Sequence, residues 1–142
     1  MVSNNKELIT IHMCDDDPDD QLLVTDALLE ARLGNPIDFT ANGKELLQYL
    51  NREGQYSHLI DQPLPGLILL DLNMPIMDGR EVLEKLKQSD KFRSIPVVVL
   101  TTSKAEEDIA KTYGMGVNSF IIKPVSFENL VEMIQSVTDY WF

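Results

Sequence analysis

The chain has 142 residues, which suits one domain and leaves no room for a second catalytic or DNA-binding domain. It carries 12 Lys and Arg against 23 Asp and Glu, a formal charge of −11, which disfavours binding to nucleic acid or to anionic membranes. The single cysteine excludes an internal disulfide framework. Because no apolar run reaches membrane-spanning length and the polar N-terminus lacks a signal peptide, we expect a soluble cytoplasmic domain.

Five short β-rich runs alternate with helical patterns along the chain. The runs cover residues 8–13, 37–41, 67–70, 97–100 and 119–122. The third and fourth are apolar at every position, which is typical of strands buried on both faces of a parallel sheet. Alternating strands and helices predict a three-layer α/β domain, and right-handed crossovers leave few topologies. We expect a doubly wound, five-stranded parallel sheet with the strand order 2-1-3-4-5.

A helical pattern follows each run, with apolar stripes near residues 24–31, 46–50, 82–86, 109–113 and 130–141. Asp17 followed by Pro18 predicts the start of the first helix, and Ser126 predicts the start of the last. Residues 52–66 are longer than a minimal connection, so they predict a surface loop before the third strand.

Polar side chains stand at the carboxyl ends of four of these strands. Asp15 and Asp16 follow the first strand, Asp71 the third, Thr101 the fourth and Lys123 the fifth. In the predicted order these strands are neighbours, so we expect their ends to share one cleft. Three carboxylates in one cleft favour a hard divalent cation such as Mg2+. An ammonium and a hydroxyl suit phosphoryl oxygens, and the central carboxylate is a candidate nucleophile that forms an acyl phosphate.

Other polar residues near this cleft have simpler explanations. Two interpretations stay open for the next acids, as helix-cap residues or as an extension of the metal site; they are Asp17, Asp19 and Asp20. His12 lies inside a central strand, which favours a core histidine with satisfied hydrogen bonds. Cys14 lies beside acids, which should raise its pKa and make the thiol unreactive. The turn after the first strand contains no glycine, which argues against FMN binding and against a P-loop.

The chain resembles the receiver domain of two-component response regulators over most of its length. The matching motifs are Asp15-Asp16, the segment 70–79 around Asp71, Thr101-Thr102-Ser103, and Phe120-Ile121-Ile122-Lys123-Pro124. All four occur in order, each at the end of its own predicted strand. The resemblance implies a flavodoxin-like, CheY-like fold in which Asp71 accepts a phosphoryl group from the phosphohistidine of a sensor histidine kinase.

The same resemblance implies a role for each motif residue. The expected Mg2+ ligands are Asp15, Asp16, Asp71 and the backbone carbonyl of Asn73. Thr101 and Lys123 would contact the phosphoryl oxygens, and Phe120 would move with Thr101 as an aromatic switch residue. The peptide bond before Pro124 is expected to be cis.

The resemblance further implies a single receiver domain over residues 1–142, with a core at about 8–140 and no output domain. Its output surface would be the predicted helix near 109–113 with the strand 119–122 and the last helix, here called the switch face. This face would bind a downstream protein, a phosphotransfer protein or a second copy of the chain.

A narrower similarity is suggested by segments 52–66, 99–103 and 139–142. They are similar to single-domain regulators that partner bacterial and cyanobacterial phytochrome-type histidine kinases. Such a protein is a phosphoacceptor and no enzyme in the usual sense. Two alternatives are a Mg2+-dependent phosphohydrolase, disfavoured because Asn73 occupies the position of its usual second acid, and an adaptor that no longer depends on phosphorylation.

Overall fold

The computed structural model describes residues 9–30, 34–72, 79–101, 119–122 and 126–141. Within them no helix is long and apolar enough to cross a membrane. The predicted helix near residues 109–113 lies outside the described residues. The elements in chain order are β1 (Ile11–Cys14), α1 (Pro18–Glu30), β2 (Ile37–Thr40), α2 (Gly43–Leu50), a 3-10 helix (Gly54–Leu59), β3 (Leu67–Asp71), α3 (Gly79–Gln88), β4 (Val97–Thr101), β5 (Ser119–Ile122) and the C-terminal helix (Phe127–Trp141).

The five strands form one parallel sheet in the order β2-β1-β3-β4-β5. The predicted fold class and strand order are therefore confirmed. β1 begins three residues later than predicted, whereas β5 has the predicted bounds. Every residue of β3 is buried, as expected for a strand with layers on both sides.

The sheet separates two apolar cores because successive side chains of a strand point to opposite faces. One core is formed by α2 and α3 against residues such as Cys14, Ile68 and Leu70. The other is formed by α1 and the C-terminal helix against residues such as Met13 and Leu69. This layering leaves the carboxyl edge of the sheet as the place where strand ends meet.

Short polar side chains fix the starts of the helices, as the sequence predicted. α1 begins at Pro18, and the carboxylate of Asp17 accepts a hydrogen bond from the backbone of Asp19 at 2.9 Å. At the C-terminal helix the hydroxyl of Ser126 accepts from the backbone of Asn129 at 3.1 Å. Each bond satisfies an amide that the helix itself leaves without a partner.

The segment 52–66 is more structured than the predicted loop. It contains the 3-10 helix, and its half-buried side chains pack against the core between the sheet and α2. Arg52 is only 7% exposed and has a φ of 55°. Its guanidinium donates to the carbonyls of Tyr49 and Pro63, both at 2.9 Å, and lies 4.9 Å from the centre of the Tyr49 ring. These contacts fold the segment back onto the domain.

Candidate functional site

An acidic cluster lies at the carboxyl edge of the sheet. Parallel pairing places Cys14 of β1 beside Leu70 of β3, so the acids that follow each of them reach the same level. Carboxylate oxygens of Asp15, Asp16 and Asp71 all lie within 4.8 Å of one another. Asp15 is fully buried and Asp71 is 3% exposed, whereas Asp16 is exposed. The structure thus brings together the three acids that the sequence assigned to one cleft.

Three hydrogen bonds hold Asp15 in place. Its backbone N–H donates to the carbonyl of Thr40 at 3.0 Å, which ties it to the edge strand β2. Its carboxylate accepts from the backbone N–H of Asp17 at 2.9 Å, and its carbonyl accepts from the carboxamide of Gln21 at 3.0 Å. The sequence did not identify Gln21, because a hydrogen bond from a helix side chain to the end of a strand leaves no sequence pattern.

Asp71 is held close to the start of α3. The N–H of Gly79 donates to the carbonyl of Leu72 at 3.1 Å. A Cβ at position 79 would lie 2.5 Å from the carbonyl oxygen of Asp71 and 2.6 Å from the Cα of Leu72. Only glycine allows this approach, because both obstacles are backbone atoms.

The donor atoms of the cluster fit a hard divalent cation. Three carboxylates this close repel one another unless a proton or a cation lies between them. Mg2+ and Mn2+ prefer oxygen ligands, and Mg2+ commonly takes one or two carboxylates while it keeps several waters. The two buried acids and the exposed one supply ligands of this kind.

Cys14 behaves as the sequence predicted. Burial raises the pKa of its thiol to about 12, and the negative charges of Asp15 and Asp71 act in the same direction, while a hydrogen bond with Thr40 opposes them. The thiol donates to the carbonyl of Asn42 at 3.3 Å. A buried thiol of this kind stays protonated, so it is a core residue next to the site.

His12 is the satisfied core histidine that the sequence favoured. Its ring is fully buried, with Nδ1 bonded to the carboxylate of Asp38 and Nε2 lying 2.9 Å from the hydroxyl of Thr40. The Tyr49 ring stacks on it at 4.0 Å between centroids, and the Tyr49 hydroxyl donates to the other oxygen of Asp38 at 2.7 Å. Burial and the bond to Asp38 raise the pKa of Tyr49. We call His12, Asp38, Thr40 and Tyr49 the histidine network.

The remaining candidates are only partly placed. Thr101 ends β4, directly beside Ile122 at the end of β5, and Phe120 lies within β5 beside Val99. Lys123, Asn73 and Pro124 lie outside the described residues, so their roles stay predictions.

The sequence matches the description "Response regulator receiver domain" over residues 11–135. The chain belongs to the response regulator receiver family. Receivers are signalling domains of two-component systems and form no classical enzyme family.

Curated relatives of this receiver include regulators from an archaeon and a cyanobacterium. It is 43% identical to "Probable methanogenesis regulatory protein FilR2" of Methanothrix harundinacea over 74% of this chain, an alignment that spans only 65% of that protein. It is 36% identical to "Response regulator Rcp1" of Synechocystis over 92% of this chain and 87% of that protein.

Solved structures similar to this receiver include phytochrome response regulators. The bacteriophytochrome response regulator RtBRR matches with 40% identity and a TM-score of 0.81, covering 92% of this chain and 78% of that one. The phosphorylated cyanobacterial phytochrome response regulator RcpA matches with 35% identity and a TM-score of 0.81, covering 95% and 94%. The Mn2+-bound form of Rcp1 matches with 35% identity and a TM-score of 0.79, covering 94% of each chain. The narrower resemblance to phytochrome regulators is therefore confirmed.

Proposed function

We propose that this receiver accepts a phosphoryl group on Asp71 from the phosphohistidine of a sensor histidine kinase, in a reaction that depends on Mg2+. The observation that carries the proposal is the acidic cluster, in which Asp71 ends a fully buried strand with Asp15 and Asp16 within 4.8 Å. An acid that served only as a surface charge would not be expected at the end of a buried strand beside two other acids. A phosphorylated relative and an Mn2+-bound relative, both of high structural similarity, add support.

The proposed cation ligands are Asp15, Asp16, Asp71 and the backbone carbonyl of Asn73. When bound, Mg2+ would neutralise charge on the carboxylates and on the incoming phosphoryl group. Asp15 is suited to this role because three hydrogen bonds fix it, so its position changes little when a ligand arrives.

In the proposed step a carboxylate oxygen of Asp71 forms a bond to phosphorus while the P–N bond to the kinase imidazole breaks. The electron pair of that bond stays on the imidazole nitrogen, which takes a proton from solvent. The ammonium of Lys123 and the hydroxyl of Thr101 would bind the transferred phosphoryl oxygens, because each offers a donor.

Phosphorylation would then bias the switch face between two packings. Thr101 would be drawn toward the new oxygens, and Phe120 would fill the space it leaves. Strand pairing supports this coupling, since Thr101 and Phe120 belong to the adjacent strands β4 and β5. The switched face would act by binding a downstream protein, a phosphotransfer protein or a second copy. The expected cis peptide before Pro124 belongs to the same hypothesis.

We infer that the phosphodonor is a phytochrome-type kinase, because several similar structures are named as phytochrome response regulators. A phosphohydrolase is less well supported, because the residue two after Asp71 is Asn73, which cannot serve as a general acid. Turnover of a small phosphate ester at steady state would favour that alternative.

The acceptor is tested by the intact mass of the protein after incubation with a small acyl phosphate, with and without Mg2+. We expect one phosphoryl adduct on the wild type that requires Mg2+ and none on Asp71→Asn. Asp61→Asn is the matched control, because Asp61 is an exposed acid in the segment before β3. An adduct on Asp71→Asn equal to that of the wild type would contradict the proposal. If the wild type stays unmodified, the purified kinase is the next donor to try.

The coupling to the switch face is tested with Thr101→Ala. We expect this variant to accept the phosphoryl group but to lose the change in self-association or partner affinity that phosphorylation produces in the wild type. A phosphorylation-dependent change of wild-type size in Thr101→Ala would contradict the switch.

A further inference from the structure

The two acids of the turn between β1 and α1 are held very differently. Asp15 is buried, and its N–H, its carbonyl and one carboxylate oxygen all have hydrogen-bond partners. Asp16 is exposed, and its side chain makes no hydrogen bond to the residues that the structure describes. The position of the Asp16 carboxylate therefore depends on its own rotamer and on the backbone that carries it.

The peptide group between these acids is fixed by one side chain from α1. The carboxamide nitrogen of Gln21 donates to the carbonyl oxygen of Asp15 at 3.0 Å. That carbonyl belongs to the peptide plane that carries the N and Cα atoms of Asp16, so fixing the plane limits where the Asp16 side chain can reach. The Gln21 bond thus acts on Asp16 without touching its carboxylate.

Gln21 is itself well anchored. Its backbone N–H donates to the carbonyl of Asp17 at 3.2 Å, in the first turn of α1. Its side chain is half-buried, which shields the bond to Asp15 from competing water. α1 therefore offers a rigid support for the turn.

We propose that Gln21 is a positioning residue for the cation site, which holds the Asp15–Asp16 peptide so that the Asp16 carboxylate faces Asp71. This inference rests on the proposed function, since it assigns the same acidic cluster to a divalent cation. Partners behind the direct ligands often determine metal affinity by limiting how far those ligands must reorganise.

The experiment measures Mg2+ and Mn2+ affinity by calorimetry on the full chain, for the wild type and for Gln21→Met. Methionine keeps the length and helix propensity of glutamine but has no donor. We expect the dissociation constant of each ion to rise about tenfold, the low end of the range for residues behind the metal ligands. We also expect the Mg2+ concentration that half-saturates phosphorylation to rise, with the rate at saturating Mg2+ within about twofold of the wild type.

Thr25→Val is the matched control. It removes the hydrogen bond from the Thr25 hydroxyl to the carbonyl of Gln21. The bond from the Gln21 carboxamide to the carbonyl of Asp15 stays intact. The variant should leave cation affinity unchanged, because the bond between Gln21 and Asp15 is kept. Gln21→Asn, which keeps the amide but is one methylene shorter, should weaken cation binding as Met does and serves if Gln21→Met folds poorly.

The outcomes separate this inference from the function it rests on. Unchanged affinity in both Gln21 variants, with normal binding to the wild type, would overturn the positioning role alone. An equal loss of cation affinity in Thr25→Val would also overturn the positioning role, because the effect would then come from α1 as a whole. Absence of any cation binding to the wild type would overturn the proposed cation site and the role of Gln21 together.

Discussion

Two polar regions depend on the single strand β1, and they are built on opposite principles. In the histidine network His12 contacts a carboxylate and a hydroxyl, and Tyr49 contacts the second oxygen of the same carboxylate. In the acidic cluster, which begins three residues later, three groups of the same charge lie within 4.8 Å. The first region joins donors to acceptors, whereas the second brings three carboxylates together.

The difference separates stability from function. A buried polar group that has its partner stabilises the fold, or at least does not weaken it. Carboxylates held close together repel one another, and a bound cation reduces that repulsion. The sheet thus combines a well-bonded interior with an edge suited to a cation. Substitutions in the two regions should therefore change the free energy of unfolding in opposite directions.

The largest effect is expected where the acidic cluster meets α3. Gly79→Ala would place a Cβ 2.5 Å from the carbonyl oxygen of Asp71, so α3 and β3 must separate. We expect a loss of about 3 kcal/mol in the free energy of unfolding, together with weaker cation binding. Gly54→Ala is the control, because φ is +58° there but no atom lies within 4 Å, so a loss of about 1 kcal/mol from backbone strain is expected. Urea denaturation of both variants measures the free energy of unfolding, and equal losses in the two would contradict the steric explanation.

The histidine network is tested by His12→Ala. This change leaves a cavity beside the Tyr49 ring and removes one partner each from Asp38 and Thr40. We expect a loss of about 2–3 kcal/mol in the free energy of unfolding. His58→Ala, at an exposed position of the 3-10 helix, should stay within about 0.5 kcal/mol of the wild type. A loss in His12→Ala as small as this would mean that the network does not support the fold.

The acidic cluster should respond in the opposite direction. Asp15→Asn keeps an acceptor for the backbone of Asp17 but removes one of three like charges. Without Mg2+ we expect this variant to be more stable than the wild type by about 1 kcal/mol. Added Mg2+ should stabilise the wild type and leave the variant almost unchanged. Thermal unfolding with and without Mg2+ measures both effects, and a variant that is less stable without Mg2+ would refute the idea of like-charge strain.

The smallest effect concerns pH. Burial alone would raise the pKa of Asp38, but hydrogen bonds from His12 and Tyr49 and the attraction of His12 and Arg52 bring it below its ordinary value. A carboxyl with a lowered folded pKa stabilises the protein above its unfolded pKa, about 3.9, and this contribution is lost as pH falls through the folded pKa. The stability difference between the wild type and Asp38→Asn should therefore hold from pH 7 to about pH 5 and shrink below about pH 4. A difference that does not begin to shrink as the pH falls below about 4 would argue against this cause.

The hydrophobic periodicity and the residues that follow each strand were sufficient to predict the sheet and to predict that the three acids lie close together. The apolar run of β3 identified a strand buried on both faces, and crossover handedness left only a few strand orders, among which the favoured one is observed. Once β1 and β3 are neighbours, Asp15 and Asp71 must share an edge. These features depend on local patterns and a few general rules, so the sequence was enough.

What the sequence missed depends on bonds between distant residues. The fold of segment 52–66 rests on Arg52, whose guanidinium reaches the carbonyls of Gln62 and Pro63. The identity of the partners of His12 depends on the β1–β2 register, which pairs it with Asp38. The Gln21 bond depends on how α1 sits over the end of β1. None of these leaves a periodic signal, because each is a single contact set by the completed tertiary structure.

The pairing of β1 with β3 has a consequence for how the chain folds. Asp15 and Asp71 are far apart in sequence and come together only when these two strands align. This contact is non-local, so it carries a large loop-closure cost and forms late relative to helices and tight turns. The like charges add electrostatic repulsion to the same event. A divalent cation that binds only the aligned strand ends would therefore slow unfolding more than it speeds folding, and would give the centre of the sheet kinetic stability.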